Sequence, residues 1–345
     1  MAKRVRISPD NGVTFYTFPG DTAELGREGA ELKDTIFGQD FASAQTGLLS
    51  GSIKANGIYK GFAGYVAKIK KSGTPTTMTT EAMSLVSGKT YKITDATKNI
   101  LDRNTAIAVF DNATPVVAAD IASIDHLFGR VTFASGYTPT GPITMTAKYL
   151  PTAVIASANG FSLTQQGNAI DNSTYETTQA NGGYRTYEMG LKTVKLNVSG
   201  IYNASNAFEA LLASREECVI EINPDGSGKS VARGFFKPIT MSQSGDVGEL
   251  EEQSFDFTLS VPDQEDVDLP FKWLHDTTTT LSRAIREAIA AWENAEETVV
   301  DYLPDGAAGF VADAIVTDLS LSGGLEAMNV FTVAFQLSGA PEATP

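Results

Sequence analysis

Met189-Gly190-Leu191-Lys192-Thr193-Val194-Lys195-Leu196-Asn197-Val198-Ser199-Gly200-Ile201-Tyr202 repeats an earlier part of the same chain, Thr46-Gly47-Leu48-Leu49-Ser50-Gly51-Ser52-Ile53-Lys54-Ala55-Asn56-Gly57-Ile58-Tyr59. The offset is a constant 143 positions, with no gap. Gly, Leu, Gly, Ile and Tyr coincide, while Ile53/Leu196 and Ala55/Val198 are similar. In the later copy Val194, Leu196 and Val198 alternate with Thr193, Lys195, Asn197 and Ser199. That alternation describes a strand with one buried and one wet face. A polar stretch precedes each copy, Glu24 to Gln45 and Gly167 to Glu188, and both read as long hairpin excursions.

A second repeat occupies the C-terminal half. Val219-Ile220-Glu221-Ile222-Asn223-Pro224-Asp225-Gly226 matches Val299-Val300-Asp301-Tyr302-Leu303-Pro304-Asp305-Gly306. Each is an apolar strand running into a Pro-Asp-Gly turn. Each turn leads to a Gly-Phe pair, at Gly234-Phe235 and Gly309-Phe310, and then to Ser-x-Ser-Gly, at Ser242 to Gly245 and Ser320 to Gly323. An alternating strand ends each copy, Phe255 to Ser260 and Val333 to Ser338. One amphipathic helix is expected before each copy. The first runs near Asn206 to Arg215 with Phe208, Leu211 and Leu212 on one face, and Asn206 and Glu209 at capping-box spacing. The second runs near Thr279 to Ala295 with Leu281, Ile285, Ile289 and Trp292 at helical spacing.

The order of these pieces sets the domains. One complete unit, domain B, spans 151–264. The leftover halves, 1–73 and 265–345, close around it as a discontinuous domain A, since two incomplete domains would leave sheet edges uncovered. Residues 74–150 belong to neither repeat. Their short strands, such as Thr90 to Thr94, Ile107 to Phe110, Gly129 to Phe133 and Ile143 to Ala147, read as a small inserted all-β sandwich. The expected fold class is mainly β: sandwich or barrel domains, each with one flanking helix, plus the β insert.

Composition narrows the function. Hydrophobic residues make up 42% of the 345, enough for real cores. No apolar run reaches the ~18–20 residues that span a bilayer, and no apolar segment follows the basic start Met1 to Ile7, so neither a membrane span nor a secretory signal is expected. A net charge of −15 disfavours gripping nucleic acid by its phosphates. The two histidines, His126 and His275, have no partner at ligand spacing, and Cys218 is the single cysteine. Asp225 to Ser230 ends like a phosphate-binding loop but lacks the first glycine, so it reads as a hairpin turn. The acidic stretches Glu249 to Glu252 and Asp263 to Asp266 lack the spacing of a calcium loop and read as solvated loops. The reading is a structural protein, not an enzyme, with no cofactor and no metal.

A Gly-Leu strand ending in Ser-Gly-Ile-Tyr, then a helix, a strand with a Pro-Asp-Gly turn, and closing strands resemble the major tail tube protein of long-tailed bacteriophages. The resemblance is carried by Gly190-Leu191, Val194 to Tyr202, Phe208 to Leu212 and Val219 to Ser260. The insert, through Met78 to Ala82, Tyr91 to Ala96 and Leu127 to Phe133, resembles β modules of phage tail proteins. The resemblance implies a virion protein, assembled in the host bacterial cytoplasm, whose units pack into six-unit rings. Rings stack into a hollow tube through which DNA is delivered without specific binding. It also implies terminator and distal tail proteins as partners. The usual subunit carries one such unit; two per chain imply homotrimeric, pseudo-hexameric rings, the rival arrangement being six chains with domain B alone at the lumen. Ring-stacking candidates are Asn172, Tyr175, Glu176, Asn181, Tyr184 and Arg185 in one long loop, and Lys33, Asp34, Phe37 and Asp40 in the other. Lumen-facing candidates are Lys195, Asn197, Asp256, Ser52, Lys54 and Gln336.

Three other readings compete. A cell-surface or carbohydrate-binding β protein would cluster aromatic residues of the insert on one exposed face, where Tyr91, Phe128, Phe133 and Tyr137 are scattered. A tail-fibre hydrolase would show solenoid repeats or a carboxylate constellation. A secretion-system tube would share the fold without the duplication and the insert.

Overall fold

A computed structural model describes residues 3–20, 22–33, 44–58, 66–158, 160–181, 183–201, 207–224, 228–244, 252–260, 270–276, 279, 281–324 and 329–343. The fold is mainly β. The chain opens with β1 (Arg4–Ser8), β2 (Tyr16–Thr17), β3 (Thr22–Lys33), β4 (Ala44–Ile58) and β5 (Val66–Ser72). The insert follows as β6 (Thr76–Ser87), β7 (Thr90–Ile93), β8 (Ala108–Asp111), β9 (Thr114–Pro115), β10 (Ile121–Asp125), β11 (Arg130–Phe133) and β12 (Ile143–Tyr149). Then come β13 (Thr152–Ala158), β14 (Gly160–Asp171), α1 (Tyr175–Ala180), β15 (Tyr187–Ile201), α2 (Ala207–Ser214), β16 (Cys218–Asn223), β17 (Ser230–Ser244), β18 (Glu252–Leu259) and β19 (Phe271–His275). The chain ends with α3 (Arg283–Asn294), β20 (Thr298–Leu303), β21 (Phe310–Gly324), β22 (Val330–Leu337) and β23 (Glu342–Ala343).

Strand register gives the duplication a structural meaning. In one copy β3 pairs with β4, running from Thr22↔Asn56 to Gly29↔Leu49; in the other β14 pairs with β15, from Gly160↔Ser199 to Gly167↔Lys192. Both pairings are interrupted at the same rung, after Gly29 and after Gly167, and resume at Glu31↔Thr46 and Ala169↔Met189. A β-bulge re-aims a strand and is a structural feature in its own right. A second pair of bulges coincides as well: β21 slips between Val316 and Asp318, and β17 between Pro238 and Thr240. Ser242 to Ser244 and Ser320 to Ser322 align on this register, as do the closing strands. Gly309-Phe310 and Gly234-Phe235 do not: the first begins β21, whereas the second lies inside β17 opposite Ile220 and Val219.

The pairing moves two segments across the expected boundaries. β5 lies between β13 and β16, just as β1 lies between β2 and β20. β19 pairs with the start of β17, as β23 pairs with the start of β21. By backbone bonds, copy A is therefore β1–β4 with α3 and β20–β23, and copy B is β5 and β13–β19 with α2. Residues 66–72 and 271–275 belong with B, where the sequence grouped them with A. Repeat similarity marks strands that resemble each other; hydrogen bonds mark strands that share a sheet.

One hydrophobic core runs through both copies. β22 shows the pattern: Phe331, Val333, Phe335 and Leu337 are buried, and the residues between them are not. α3 covers part of this core with Ala284, Ile285, Ala288, Ile289 and Trp292. Ser282 caps its start by accepting from the Ile285 N–H. α2 spans 207–214, inside the expected range, and buries Leu211; Asn206 of the expected capping box lies outside the described residues.

The insert forms a seven-stranded sheet with its own core. It is docked as well as tethered. Ile100, Leu127, Phe128 and Leu150 pack on Val219 and Phe235 of copy B. Arg103 lies 4.1 Å over the Phe235 ring, pairs with Glu217 and donates to the Ser260 carbonyl. Arg233 donates to the Leu127 carbonyl at 3.0 Å and covers the Phe128 ring. Among the described residues, no helix is long and apolar enough to cross a membrane.

Candidate functional site

The two copies join edge to edge. β14 of copy B pairs with β21 of copy A over seven rungs, Gly160↔Gly324 to Gln166↔Asp318. Leu163 and Leu321 face each other there, beside Gln165 and Leu319, and all four are fully buried. Gln165 accepts a hydrogen bond from the Trp273 indole at 2.9 Å. The result is a continuous run of eight strands, β17-β18-β15-β14-β21-β22-β4-β3, through both copies.

One face of this run is the core. The opposite face is polar, as period-two alternation requires. One rung row reads Thr258, Lys195, Thr164, Ser320, Thr332, Asn56 and Thr22. Another reads Gln166, Asp318, Ala334, Lys54 and Glu24. All six lumen-facing candidates, Ser52, Lys54, Lys195, Asn197, Asp256 and Gln336, lie on this face, three from each copy. Alternation along β4, β15, β18 and β22 puts each of them on the side of its strand opposite the core. Register adds Thr164, Ser320 and Asp318, which period alone could not place beside them.

By register this face carries Lys54, Lys195 and Lys237 against Glu24, Glu28, Glu252, Asp256 and Asp318, a small excess of acid among the described residues. Asp256 accepts from the Asn197 amide at 2.7 Å and the Thr240 hydroxyl at 2.5 Å. Those bonds hold its carboxyl below the usual carboxylate range, the Asn197 contribution being the larger. Gln336 donates to the Gly51 carbonyl and Gln166 to Asp318. Among the described residues, the net negative charge is thus not concentrated on this face.

The loop between β14 and β15 is built on a short helix. Thr174 and Thr177 cap α1 reciprocally, and Arg185 pairs with Asp171 at 2.7 Å. Its far side is fastened to copy A. Leu49 donates to the Gly183 carbonyl and accepts from the Arg185 N–H, both at 2.9 Å, and Gly339 donates to the Arg185 carbonyl. Tyr184 and Arg185 therefore sit at the joint within the chain. Asn172 and Asn181 shape the loop through backbone bonds to Thr186 and Thr177, and Tyr175, 82% exposed, projects with Glu176. Lys33 ends β3; Asp34, Phe37 and Asp40 lie outside the described residues.

Cys218 and Ser230 are buried, and His126 is half-buried. Burial pushes the Cys218 thiol up to about 12 and holds the His126 imidazole below its ordinary range. Ser230 is fully buried and bonds to His275 Nδ1 at 3.0 Å and to the Thr279 hydroxyl. Phe128 and Phe133 are buried, and Phe133 packs against Tyr91 and Tyr137, so these rings form cores and not an exposed aromatic platform. No cluster of metal-ligating residues occurs among the described residues. Asp225 to Ser227 and most of the two acidic stretches lie outside them; β16 and β17 on either side of the turn pair antiparallel.

No family model matches the chain, and no curated protein does. Among solved structures, it is similar to a chain from the tail of an empty gene transfer agent particle, refined with C6 symmetry. That likeness has 11% identity, covers 32% of this chain and 84% of that one, and has a TM-score of 0.28. A chain from the virion of a native gene transfer agent particle gives 12% identity, 32% and 85% coverage, and the same TM-score of 0.28. At that score the likeness carries no functional argument.

Proposed function

We propose that the chain is a structural subunit of a phage-type tail tube. It closes with copies of itself into rings, the rings stack, and the polar sheet face lines a channel for DNA. One observation carries this reading: the eight-strand run crosses both copies with a single polar face, and among the described residues it leaves two dissimilar strand edges unpaired, that of β3 and that of β17 beyond Phe236. Dissimilar edges make head-to-tail contacts, which close into rings when the rotation allows. A lining with a small excess of acid holds no phosphate strongly, which suits passage more than binding.

Size favours three chains per ring. Strands about 4.8 Å apart, tilted about 40°, give eight strands an arc of roughly 50 Å. Three arcs then close a cylinder of roughly 48 Å backbone diameter, wide enough for a duplex once side chains are in place. The participation of both copies in one polar face favours this over a six-chain ring lined by copy B alone. Tyr175 and its loop supply a ring-to-ring contact. Terminator and distal tail proteins are the partners, the virion tail is the location, and no catalytic activity or cofactor is required.

Negative-stain microscopy and light scattering of the purified protein test this. Rings or tubes about 100 Å wide are expected, from six domains each ~25–30 Å across. A strictly monomeric protein at high concentration overturns it.

A further inference from the structure

We propose that the outer edge of β3, Thr22–Glu28, pairs with the outer edge of β17 in a second copy of this chain, in the register that β14 and β21 adopt inside one chain. This rests on the assembly reading above and specifies its interface. The chain contains the template. β3 is the counterpart of β14, because each pairs with its β4-type partner rung for rung and bulges at the same place. β17 is the counterpart of β21 by the same two criteria. Within the chain the β14–β21 contact is made. The reciprocal contact, β3 with β17, is not: among the described residues β3 pairs with β4 alone.

Among the described residues, the edge of β17 is open where the template needs it. β16 and β19 pair only with its first residues, 230–236, and β18 takes the other side of 236–244. In β21 the corresponding edge carries β20 over 310–314 and then β14 over 318–324. Copy B has the equivalent of β20, namely β16, and nothing beyond it among the described residues.

Side chains show the same asymmetry. Leu163, Leu319 and Leu321 at the closed joint are fully buried. Leu25 and Met241, in the positions of Leu163 and Leu319, are only partly covered. Leu48, beside the fastened loop, is 38% exposed, whereas its counterpart Leu191 is 85% exposed. An open strand edge with apolar neighbours is a template for another chain. The two edges lie at opposite ends of the eight-strand run, so the occupant that fits is a second copy.

Transferring the register predicts Gly26 opposite Ser242, Arg27 opposite Met241 and Glu28 opposite Thr240. Four single variants, Gly26→Cys, Glu28→Cys, Ser242→Cys and Thr240→Cys, test it by mixing in pairs before assembly. All four positions lie on the polar face, and the native Cys218 is buried. After oxidation, or with a short dithiol-reactive crosslinker, Gly26→Cys with Ser242→Cys and Glu28→Cys with Thr240→Cys should give covalent dimers. The slipped mixtures, Gly26→Cys with Thr240→Cys and Glu28→Cys with Ser242→Cys, should give several-fold less. Rings that form without either in-register crosslink, or with equal yield from the slipped mixtures, overturn this interface and leave the assembly reading intact. Unmodified protein that never leaves the monomer overturns both.

Discussion

Glu293 should make the joint between the copies sensitive to pH. It sits near the end of α3, where its Oε1 accepts the Trp273 N–H of β19 at 2.7 Å, so it links a helix of copy A to a strand of copy B. Lys192 of β15 donates to the carbonyls of Trp292 and Glu293 from the other side. Burial raises the Glu293 carboxyl from the ordinary 4.5 to about 7, against the opposing pull of the Trp273 N–H, Lys272 and Lys192; Asp125 adds to the rise. Between about pH 4.5 and 7 the folded chain keeps a proton that the unfolded chain has lost. Stability therefore falls as pH rises through that window, and the full loss is felt above it. At about 1.36 kcal/mol per pH unit, the rise corresponds to ~3 kcal/mol. Glu293→Gln keeps the acceptor for Trp273 and carries no charge. It should match the wild type near pH 4 and exceed it by up to ~3 kcal/mol at pH 8. Urea unfolding followed by fluorescence reads this site directly, because the two tryptophans of the chain, Trp273 and Trp292, both flank it. A variant whose stability falls between pH 5 and 8 as steeply as the wild type's would refute the argument.

Three further outcomes follow from the packing. Leu321→Ala removes a fully buried side chain at the β14–β21 joint; it should cost about 2–5 kcal/mol in denaturant unfolding and split the transition as the copies uncouple. Replacing 76–148 with a Gly/Ser linker leaves the outside of a tube free in principle, but it uncovers Val219 and Phe235; aggregation is expected in size-exclusion chromatography, and a soluble monomer with native stability would refute docking as a structural contact. Shortening Asn172–Asn181 removes α1 and Tyr175 but keeps the Arg185–Leu49 backbone bond; circular dichroism should stay native while microscopy shows single rings without tubes.

Much of this architecture was legible because alternation and turn chemistry are local. Val194, Leu196 and Val198 announce their own strand and its buried face, and Leu281, Ile285, Ile289 and Trp292 announce α3. The six polar-face residues obey the same period. What could not be read was partnership. Nothing in Val66 to Ser72 says that it pairs with Cys218–Asn223 across the whole insert. Gly234-Phe235 looked like Gly309-Phe310 because composition ignores register. The docking of Phe128 on copy B is equally silent, since an aromatic residue in a small sandwich has the same pattern whether it packs inward or onto a neighbour. Tyr184 and Arg185 sit in a polar loop whose role depends on Leu49, far away in sequence.

The divergence between the copies has a physical direction. The joint made within one chain pairs Leu163 with Leu321 and buries Gln165 beside Leu319. The corresponding positions at the open edges are Leu25 with Gln243 and Arg27 with Met241. An intrachain joint forms as the chain folds and never stands exposed at high concentration, so its apolar surface carries little aggregation risk. An edge that waits for another copy is exposed in every free subunit, where a long apolar strand edge invites wrong partners. In the proposed ring, charge at Glu24, Arg27 and Glu28 would keep that edge soluble at a cost in affinity per rung, which repetition around the closed ring would restore. Six identical units could not separate these demands, because each interface would have to be both the permanent one and the waiting one. In the proposed ring, fusing two units into one chain would let one interface become core-like while the other stays reversible until closure.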